Sequence, residues 1–547
     1  MPRSLAVERY VGSATLYKKH AFRLAAGLLL LPLAALAAPT DEPATPLRTA
    51  LEQLPAYCSG YLPPLQPAAR ERLQGFYARQ DFAPVWRSYR QIDGLLRQLE
   101  QLADDGLAPA SYHLERIRQL THSASAAPQH RICSDLLASH AYLSALHDLA
   151  YGRLPREQIE PLWRSPDWPV EDDRQAALEL ASSGLDDLAD AFAQARPDLP
   201  QYLALRAAYA RLRSQPLPQW PVIPAGPTLR PQMLDARVPL LRERLLGHAG
   251  LGLVGDESRR YDPVLVAAVE AFQRQHGLEP DGLVGRGTLA ALNVSPASRL
   301  DQLRINLERL RWIAREIEPR SLLVDIAGAR LILLEKCEVQ WQTRTQVGRE
   351  ARRTPPLKST VTRLTLNPTW TVPPTILRED KLPLIREDLG YLERSRLRVL
   401  DAQGNRLDPQ HVDWSSPHGI YLRQDAGPEN PLGRVAIRFA NPFSVYLHDT
   451  PSQRLFTQAA RTTSSGCVRV EGALQVVDLL LDDRERAEVA RLLETGVTHE
   501  YRLARPMPIL MAYWTAEADE QGEPQYRPDI YRQDAALLAA LNRAQRD

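Results

Sequence analysis

Six prolines in one short segment predict a linker that divides the chain. Because proline lacks an amide N–H and clashes with the preceding helical turn, residues 214–231 are predicted to form an extended, semi-rigid linker. The prolines are Pro216, Pro218, Pro221, Pro224, Pro227 and Pro231. The chain has 547 residues, which is enough for about three or four domains, each with a core of its own.

Before the linker, apolar residues recur every three or four positions, which predicts a helical domain over residues 48–213. Asp104-Asp105-Gly106 and the segment 197–200 interrupt this pattern as helix breakers. The region shows no paired carboxylates at a defined spacing and no histidine cluster, so we interpret it as a scaffold. The apolar positions include Leu95, Leu96, Leu99, Leu185, Leu188 and Phe192.

After the linker, residues 236–295 are predicted to form a compact three-helix module. The first helix is amphipathic, with apolar residues Val238, Leu241, Leu245 and Leu246. Asp262 is expected to cap the second helix, with Pro263 in its first turn, and residues 288–292 form the third. An amphipathic connecting helix is expected over residues 296–318.

From residue 321 the apolar period changes to two, which is typical of β-strands. The strand-like runs are 322–326, 329–334, 339–347, 361–366, 435–439 and 444–447. Residues 376–425 interrupt them, and a charged insertion of this length is typical of a lid. Helices are expected after Glu471, and residues 509–513 with 526–531 are expected to form a closing hairpin. The fold class predicted is multidomain α+β, with a mostly-β domain over 319–535.

The N-terminal residues have the pattern of an export signal. Lys18, Lys19 and Arg23 precede an apolar run over residues 24–36, which ends in the small-x-small pattern Ala35-Leu36-Ala37. We therefore expect a signal peptide over residues 1–37 and an exported, mostly soluble protein. An uncleaved membrane anchor is the alternative, disfavoured because the run is short and contains Pro32.

The charge balance argues against nucleic acid as a partner. The 67 Lys and Arg residues are matched by 66 Asp and Glu residues, for a net charge of +1. Proteins that bind nucleic acid by neutralising phosphates need a basic excess. Membrane contact is expected only through the N-terminal segment, if that segment is retained.

The four cysteines are widely spaced and do not form a zinc-binding pattern. In an oxidising compartment a disulfide is expected between Cys58 and Cys133, which both lie in the helical region. Cys337 lies in a strand-like run and is expected to be buried. Cys467 is different because of its neighbours.

His448 and Cys467 together have the residue types that thiol catalysis needs. His448 follows a strand and can act as the base. Cys467 follows Ser464-Ser465-Gly466, where the glycine lets the backbone bend, so the Gly466 and Cys467 amides are candidates for an oxyanion hole. Arg469 adds a charge that either binds a substrate carboxylate or lowers the thiol pKa. By residue types alone, a buried cysteine and a structural histidine explain the pair as well.

The spacing of His448 and Ser464-Ser465-Gly466-Cys467-Val468-Arg469 resembles the active-site motif of the YkuD-type L,D-transpeptidases. The module is similar to the three-helix peptidoglycan-binding domain, and the helical region is similar to the scaffold of the large YcbB-like members. Ser465 stands where many members have histidine, as in the YcbB-like branch. Further matching blocks are Thr354-Pro355, 367–373 and 430–435.

The resemblance implies a reaction on the stem peptides of peptidoglycan. Cys467 would attack the carbonyl of a diamino acid in a tetrapeptide donor and release D-Ala, with His448 as general base and acid. The side-chain amine of an acceptor stem would resolve the thioacyl-enzyme as a 3→3 cross-link. Acylation by carbapenems is implied as well. The reaction needs no metal and no cofactor.

The resemblance also assigns further site residues. The backbone carbonyl of Asp449 would orient His448. Tyr446, Trp370 and Trp414 would line the substrate cleft, although each is equally well explained as a core aromatic. Ser465 either hydrogen-bonds within the site or caps the turn, and the 376–425 insertion would cover the cleft.

The expected partners are peptidoglycan stem peptides, glycan and other proteins of cell-wall synthesis, and the expected location is the periplasm, with a possible attachment to the inner membrane. Two other functions stay open. One is L,D-carboxypeptidase activity with water as acceptor, and the other is that of a non-catalytic peptidoglycan-binding scaffold. A papain-like peptidase is disfavoured, because there the cysteine precedes the histidine.

Overall fold

The computed structural model describes residues 45–54, 56–121, 127–169, 173–246 and 257–544. The expected signal peptide, residues 1–37, lies outside these ranges. No helix within them is both long and apolar enough to cross a membrane.

The N-terminal region is helical, as the spacing of its leucines predicts, and its helices pack around α5. Leu136, Tyr142 and Leu149 of α5 are fully buried, and the core also takes in Phe76 and Phe192. The helices are α1 (Pro46–Glu52), α2 (Pro67–Ala78), α3 (Tyr89–Gln101), α4 (Leu114–Thr121), α5 (Pro128–Tyr151), α6 (Arg156–Ile159), α7 (Arg174–Ser183), α8 (Leu188–Ala195) and α9 (Pro200–Arg213). A short strand, β1 (Trp163–Arg164), lies between α6 and α7.

The expected disulfide between Cys58 and Cys133 is confirmed. It joins the segment after α1 to the start of α5, with a Cα–Cα distance of 5.5 Å across 75 positions of sequence. Closing a loop of this length lowers the entropy of the unfolded chain, so the bond stabilises the helical domain.

The linker contains neither helix nor strand from Ser214 to Thr228, as predicted. Its second half is not free, however: Ile223 is buried in the core of the following module. The side chain of Asn293 holds Ile223 by accepting from its N–H (3.0 Å) and donating to its carbonyl (2.9 Å). The linker is therefore anchored to the module that it precedes.

The module consists of α10 (Val238–Arg244), α11 (Pro263–Gln275) and α12 (Arg286–Leu292). The Asp262 side chain accepts from the N–H of Leu265 at 2.9 Å, so the predicted cap is confirmed. Leu246 was expected on the buried face of the first helix, but α10 ends at Arg244 and Leu246 is 52% exposed.

The connecting helix α13 (Pro296–Ala314) buries charged side chains as well as apolar ones. The Arg309 guanidinium donates to Glu160 of the segment after α6 (2.7 Å) and to Asp534 near the C-terminus (2.6 Å). Arg311 donates to the carbonyl of Asp105 at 2.8 Å. Because a buried ion left without its partner is costly, these bonds fix the helical region against the C-terminal domain.

The C-terminal domain is built on one nine-stranded sheet in the order β1-β5-β12-β2-β3-β4-β11-β10-β9. Strand β9 also pairs with β5, so the sheet closes on itself as a barrel around an apolar core. Besides β1, its strands are β2 (Arg320–Asp325), β3 (Arg330–Glu335), β4 (Glu338–Gln346), β5 (Leu357–Leu366), β9 (Val435–Phe439), β10 (Leu447–His448), β11 (Val468–Val470) and β12 (His499–Ala512).

The helices α17 (Ala473–Leu480) and α18 (Asp483–Glu494) lie in the region predicted as helical after Glu471. The expected closing hairpin is wrong. Residues 509–512 belong to β12, which lies inside the sheet between β5 and β2. The hairpin is formed instead by β13 (Ala516–Ala518) and β14 (Pro524–Tyr526), and α19 (Asp534–Ala544) follows it.

Cys337 was expected to be buried in a strand. It lies in the tight turn between β3 and β4 with a positive φ of 64°, and it is partly exposed. The strand-like runs on either side of it, 329–334 and 339–347, correspond to the antiparallel strands β3 and β4.

The insertion forms a small subdomain with its own core, which we call the lid. A three-stranded sheet in the order β6-β8-β7 packs on short helices, and Leu422 and Val399 are buried between them. Its elements are β6 (Trp370–Thr371), α14 (Pro374–Ile376), a π-helical turn (Leu377–Lys381), α15 (Leu382–Glu387), α16 (Tyr391–Arg394), β7 (Leu397–Asp401) and β8 (Ile420–Gln424).

Candidate active site

The register between β10 and β11 brings the candidate residues to one face of the barrel. In this parallel pair Leu447 lies opposite Val468, and both point into the core. His448 lies opposite Arg469 on the other face. Because side chains alternate along a strand, Cys467, just before β11, is on the same face as Arg469 and His448.

His448 is held as a neutral imidazole. Its Nδ1 lies 2.6 Å from the carbonyl oxygen of Asp449, which can only accept, so Nδ1 carries the proton. Burial, followed by the charge of Arg469, lowers the pKa of His448 to about 3. Nε2 therefore keeps its lone pair at neutral pH and is able to accept a proton.

The Asp449 carbonyl is where the resemblance implies it, and the Asp449 side chain fixes the same turn. Its Oδ2 accepts from the N–H of Arg434 at 2.8 Å. Gly433 has a φ of +60°, and a Cβ there would lie 2.2 Å from Asp449 Oδ2. Gly433 is therefore required for the close approach that positions Asp449, and through it His448.

The Cys467 thiol is partly exposed and neutral at rest. Burial raises its pKa, against the opposing effects of Tyr446, Arg438 and Arg469. Within the described residues its Sγ hydrogen bond goes to the carbonyl of Ser444, at 3.7 Å, and not to the His448 ring. Catalytic hydrogen bonds are often long without substrate and tighten when it binds.

The loop before Cys467 corrects one expectation. The Gly466 N–H was expected to bind an oxyanion, but it donates to Ser464 Oγ at 3.2 Å, and the Ser464 hydroxyl donates to the Cys467 carbonyl. The Cys467 amide makes no hydrogen bond within the described chain, so it is the remaining candidate for an oxyanion donor. Gly466 is needed for a different reason, its φ of +112°.

Two distant residues support this loop. Thr354 Oγ1 donates to the carbonyl of Gly466 at 2.8 Å and accepts from the N–H of Gly348 at 2.8 Å. The Tyr531 hydroxyl accepts from the N–H of Thr354 and donates to the carbonyl of Gly348. The C-terminal tail thus braces the segment that carries Cys467.

Ser465 connects the loop to the lid. Its exposed Oγ accepts from Arg352 Nη1 at 3.0 Å. The same guanidinium donates to Asp380 (2.7 Å) and Glu379 (2.6 Å) in the π-helical turn of the lid. Arg352 is therefore a latch between the lid and the residue two positions before Cys467.

Of the other predicted site residues, Tyr446 and Arg469 lie near His448, whereas Trp370 and Trp414 lie in the lid. Tyr446 stands on the His448 face, with its ring centroid 5.6 Å from that of the imidazole. Arg469 donates to Gln346 Oε1 at 3.1 Å, while its buried Nε has no hydrogen-bond partner in the described structure. Trp370 and Trp414 pack in the core of the lid, where Trp414 Nε1 donates to a lid carbonyl.

Sequence reasoning missed Arg352, Ser444, Tyr531 and Arg438. The Arg438 guanidinium lies over the Tyr446 ring, 3.9 Å from its centroid, in the antiparallel register of β9 and β10. None of these residues lies within a motif, and only the pairing of strands distant in sequence brings them to the site. No group of three or more His, Cys, Asp and Glu suited to a metal ion occurs in the described ranges.

The low pKa of His448 is testable by NMR. In protein labelled at the histidine rings, the His448 signal should not titrate between pH 5 and pH 8, where an ordinary histidine titrates near about 6.5. Arg469→Gln should raise the His448 pKa, because it removes a charge that disfavours the imidazolium. Arg491→Gln, an exposed change on α18, is the control and should shift nothing. An ordinary His448 titration would contradict the neutral resting state.

The Arg352 latch is testable by hydrogen exchange. Arg352→Ala should speed amide exchange in lid residues 374–387 by about fivefold, because a partly buried ion-pair network stabilises by about 1 kcal/mol. Arg378→Ala removes an exposed partner of Glu379 without touching Ser465 and is the matched control. Equal exchange in the two variants would show that Arg352 does not hold the lid.

Residues 319–489 match the family model of the YkuD "L,D-transpeptidase catalytic domain". Residues 235–292 match that of the "Putative peptidoglycan binding domain", and residues 71–208 match the "Scaffold domain". Along the chain, a helical scaffold domain is therefore followed by a peptidoglycan-binding domain and then by a YkuD L,D-transpeptidase catalytic domain.

A curated Haemophilus influenzae protein named "Putative L,D-transpeptidase" is 32% identical over 247 residues, which are 44% of this chain and 50% of that protein. The match thus spans about half the length of this relative. An L,D-transpeptidase structure from Mycobacterium smegmatis is 14% identical and has a TM-score of 0.16, over 35% of this chain and 58% of that one. One from Xylanimonas cellulosilytica is 16% identical, also with a TM-score of 0.16, over 55% and 100%.

Proposed function

We propose that this protein is a peptidoglycan L,D-transpeptidase that forms 3→3 cross-links through a thioacyl intermediate on Cys467. The observation that carries the proposal is the shared face of His448, Arg469 and Cys467 in the region that matches the YkuD catalytic domain. The Asp449 carbonyl on Nδ1 leaves Nε2 of His448 as the base. The match to the scaffold family supports the YcbB-like branch.

In the acylation step, Cys467 Sγ attacks the carbonyl carbon of the third stem residue, a diamino acid. The thiol proton passes to His448 Nε2 as the sulfur attacks, because the neutral thiol is a weak nucleophile. The carbonyl oxygen becomes negative and accepts from the Cys467 amide. The C–N bond to D-Ala then breaks, and the imidazolium returns its proton to the leaving amine.

In the second step, the side-chain amine of a diamino acid on another stem attacks the thioester carbonyl. The C–S bond breaks, the amine loses a proton to His448, and the thiol of Cys467 is restored. The product is an amide bond between the third residues of two stems. If water attacks instead, the product is a tripeptide and the reaction is that of a carboxypeptidase.

The peptidoglycan-binding module supports peptidoglycan as the partner. One side of it packs on the C-terminal domain: His276 stacks on Tyr526, with ring centroids 5.1 Å apart, and Gln275 donates to the carbonyl of Pro524 at 2.9 Å. These contacts support a packing role for this side of the module. We propose that its outer surface contacts the polymer.

The substrate lies outside the cytoplasmic membrane, so the proposal requires export. The basic and apolar pattern before residue 38 supports a periplasmic location, with attachment to the inner membrane if the segment is retained. Other proteins of cell-wall synthesis are proposed partners there. The thiol chemistry also supports acylation by carbapenems.

Product analysis tests the proposal. The mature protein is incubated with disaccharide-tetrapeptide, and the products are identified by mass spectrometry. We expect a 3→3 dimer from the unmutated protein and none from Cys467→Ala, because the thioacyl intermediate cannot form. Cys337→Ala, which removes the other free cysteine, is the control and should keep full activity.

Each alternative has its own product pattern. Tripeptide without dimer would make the enzyme a carboxypeptidase. A folded protein that binds sacculi but forms no product would support the non-catalytic scaffold instead. Equal dimer formation by Cys467→Ala would refute the cysteine mechanism.

A further inference from the structure

Three arginines lie in a row across the barrel face that carries Cys467. Arg438 on β9 is the register partner of Arg363 on β5, and Arg363 is the register partner of Arg502 on β12. Adjacent strands are about 4.8 Å apart, so the row extends roughly 10 Å across the sheet. Arg363 and Arg502 are exposed, and Arg438 is partly exposed.

The row begins beside the nucleophile. Leu447 on β10 lies opposite Ile437 on β9, both in the core, so Tyr446 and Arg438 are neighbours on the outer face. The Arg438 guanidinium lies 3.9 Å from the centroid of the Tyr446 ring. Its charge also acts on Cys467, because it opposes the effect of burial on the thiol pKa.

Arg438 is held in place by polar neighbours rather than by an ion pair. Its Nε donates to Thr365 Oγ1 at 3.2 Å, and that hydroxyl donates to Glu500 Oε1 at 2.8 Å. The Tyr446 side chain also hydrogen-bonds with Arg438. These neutral partners orient the guanidinium beside the Tyr446 ring.

The row lacks the carboxylates that would balance it. Within the described chain, neither Arg438 nor Arg502 has an acidic side chain within 4.0 Å, and Arg363 has only Glu500, at 3.9 Å. Like charges directly opposite each other on neighbouring strands destabilise a sheet. An arrangement that weakens the fold and lies beside the nucleophile is explained by a ligand of opposite charge.

We propose that the row is the recognition site for carboxylate groups of the donor stem peptide, with Arg438 binding the carboxylate nearest the bond that Cys467 attacks. The inference rests on the proposed function and adds a substrate requirement to it. The planar guanidinium matches a carboxylate with two parallel hydrogen bonds. Arg363 and Arg502 attract the more distant negative charge of the same extended peptide.

When the third residue is a diamino dicarboxylic acid, the donor offers two carboxylates near this bond: the side-chain carboxylate of that residue and the C-terminal carboxylate of D-Ala. They are separated by comparing the tetrapeptide with two analogues, each with one of these groups converted to its amide. Every peptide is assayed with the unmutated full-length protein, with Arg438→Gln, and with Arg491→Gln, an exposed change on α18, as the control.

We expect the unmutated protein to show a KM about tenfold higher for one of the two amides, since the amide loses a charge-assisted hydrogen bond. For the free-acid peptide, Arg438→Gln should already show this higher KM, with kcat changed far less. Converting the same carboxylate to its amide should not raise the KM of Arg438→Gln further. Arg363→Gln should have a smaller effect, and Arg502→Gln the smallest. Arg491→Gln should behave like the unmutated protein.

Two results would overturn the inference. One is an Arg438→Gln protein that distinguishes acid from amide as the unmutated protein does. The other is an Arg491→Gln protein that also fails to distinguish acid from amide, which would indicate an effect of the protein's overall charge rather than of the row. If Arg438→Gln does not fold, the acid and amide peptides are compared with Arg363→Gln instead, because the Arg363 side chain is exposed. If the unmutated protein turns over no peptide, the proposed function fails, and calorimetric binding to Cys467→Ala tests the row separately.

Discussion

The parallel pairing of β10 with β11 is the constraint on which the rest of the site depends. It sets Leu447 against Val468 in the core and His448 against Arg469 on the outer face. A shift of one residue would turn Leu447 outward and move His448 into the barrel, so the apolar core fixes the register of the chemistry. The antiparallel pairing of β10 with β9 adds Arg438 to the same face.

The loops at the ends of these strands complete the site through contacts from distant parts of the chain. The carbonyl of Asp449 sets the tautomer of His448, and Tyr531 braces the Cys467 loop through Thr354. The His448 and Cys467 side chains are both neutral at rest, since burial lowers the pKa of His448 and raises that of Cys467. Proton transfer from thiol to imidazole therefore belongs to the reaction itself, and the surrounding arginines favour the thiolate that it produces.

Local patterns in the sequence predicted the parts of the fold that depend on local physics. Period and caps placed the helical domain, the Asp262 cap and most of the barrel strands. Cys337 and the closing hairpin were predicted wrongly, because the position of a residue in a turn between two strands and the place of a strand in the sheet depend on pairing across the chain. The motif gave His448 and Cys467. Arg352 and Arg438 enter the site only through tertiary pairing, and the role expected of Gly466 failed because Ser464 takes its amide.

The central claim is that Cys467 carries the acyl group. The direct measurement is acid quenching of the protein during turnover of the tetrapeptide, followed by mass spectrometry of its proteolytic fragments. The account predicts an adduct with the mass of the tripeptide acyl group on the fragment that contains Cys467, and none on the fragment that contains Cys337. An adduct on another residue, or turnover without any adduct on Cys467 under conditions that preserve thioesters, would contradict it.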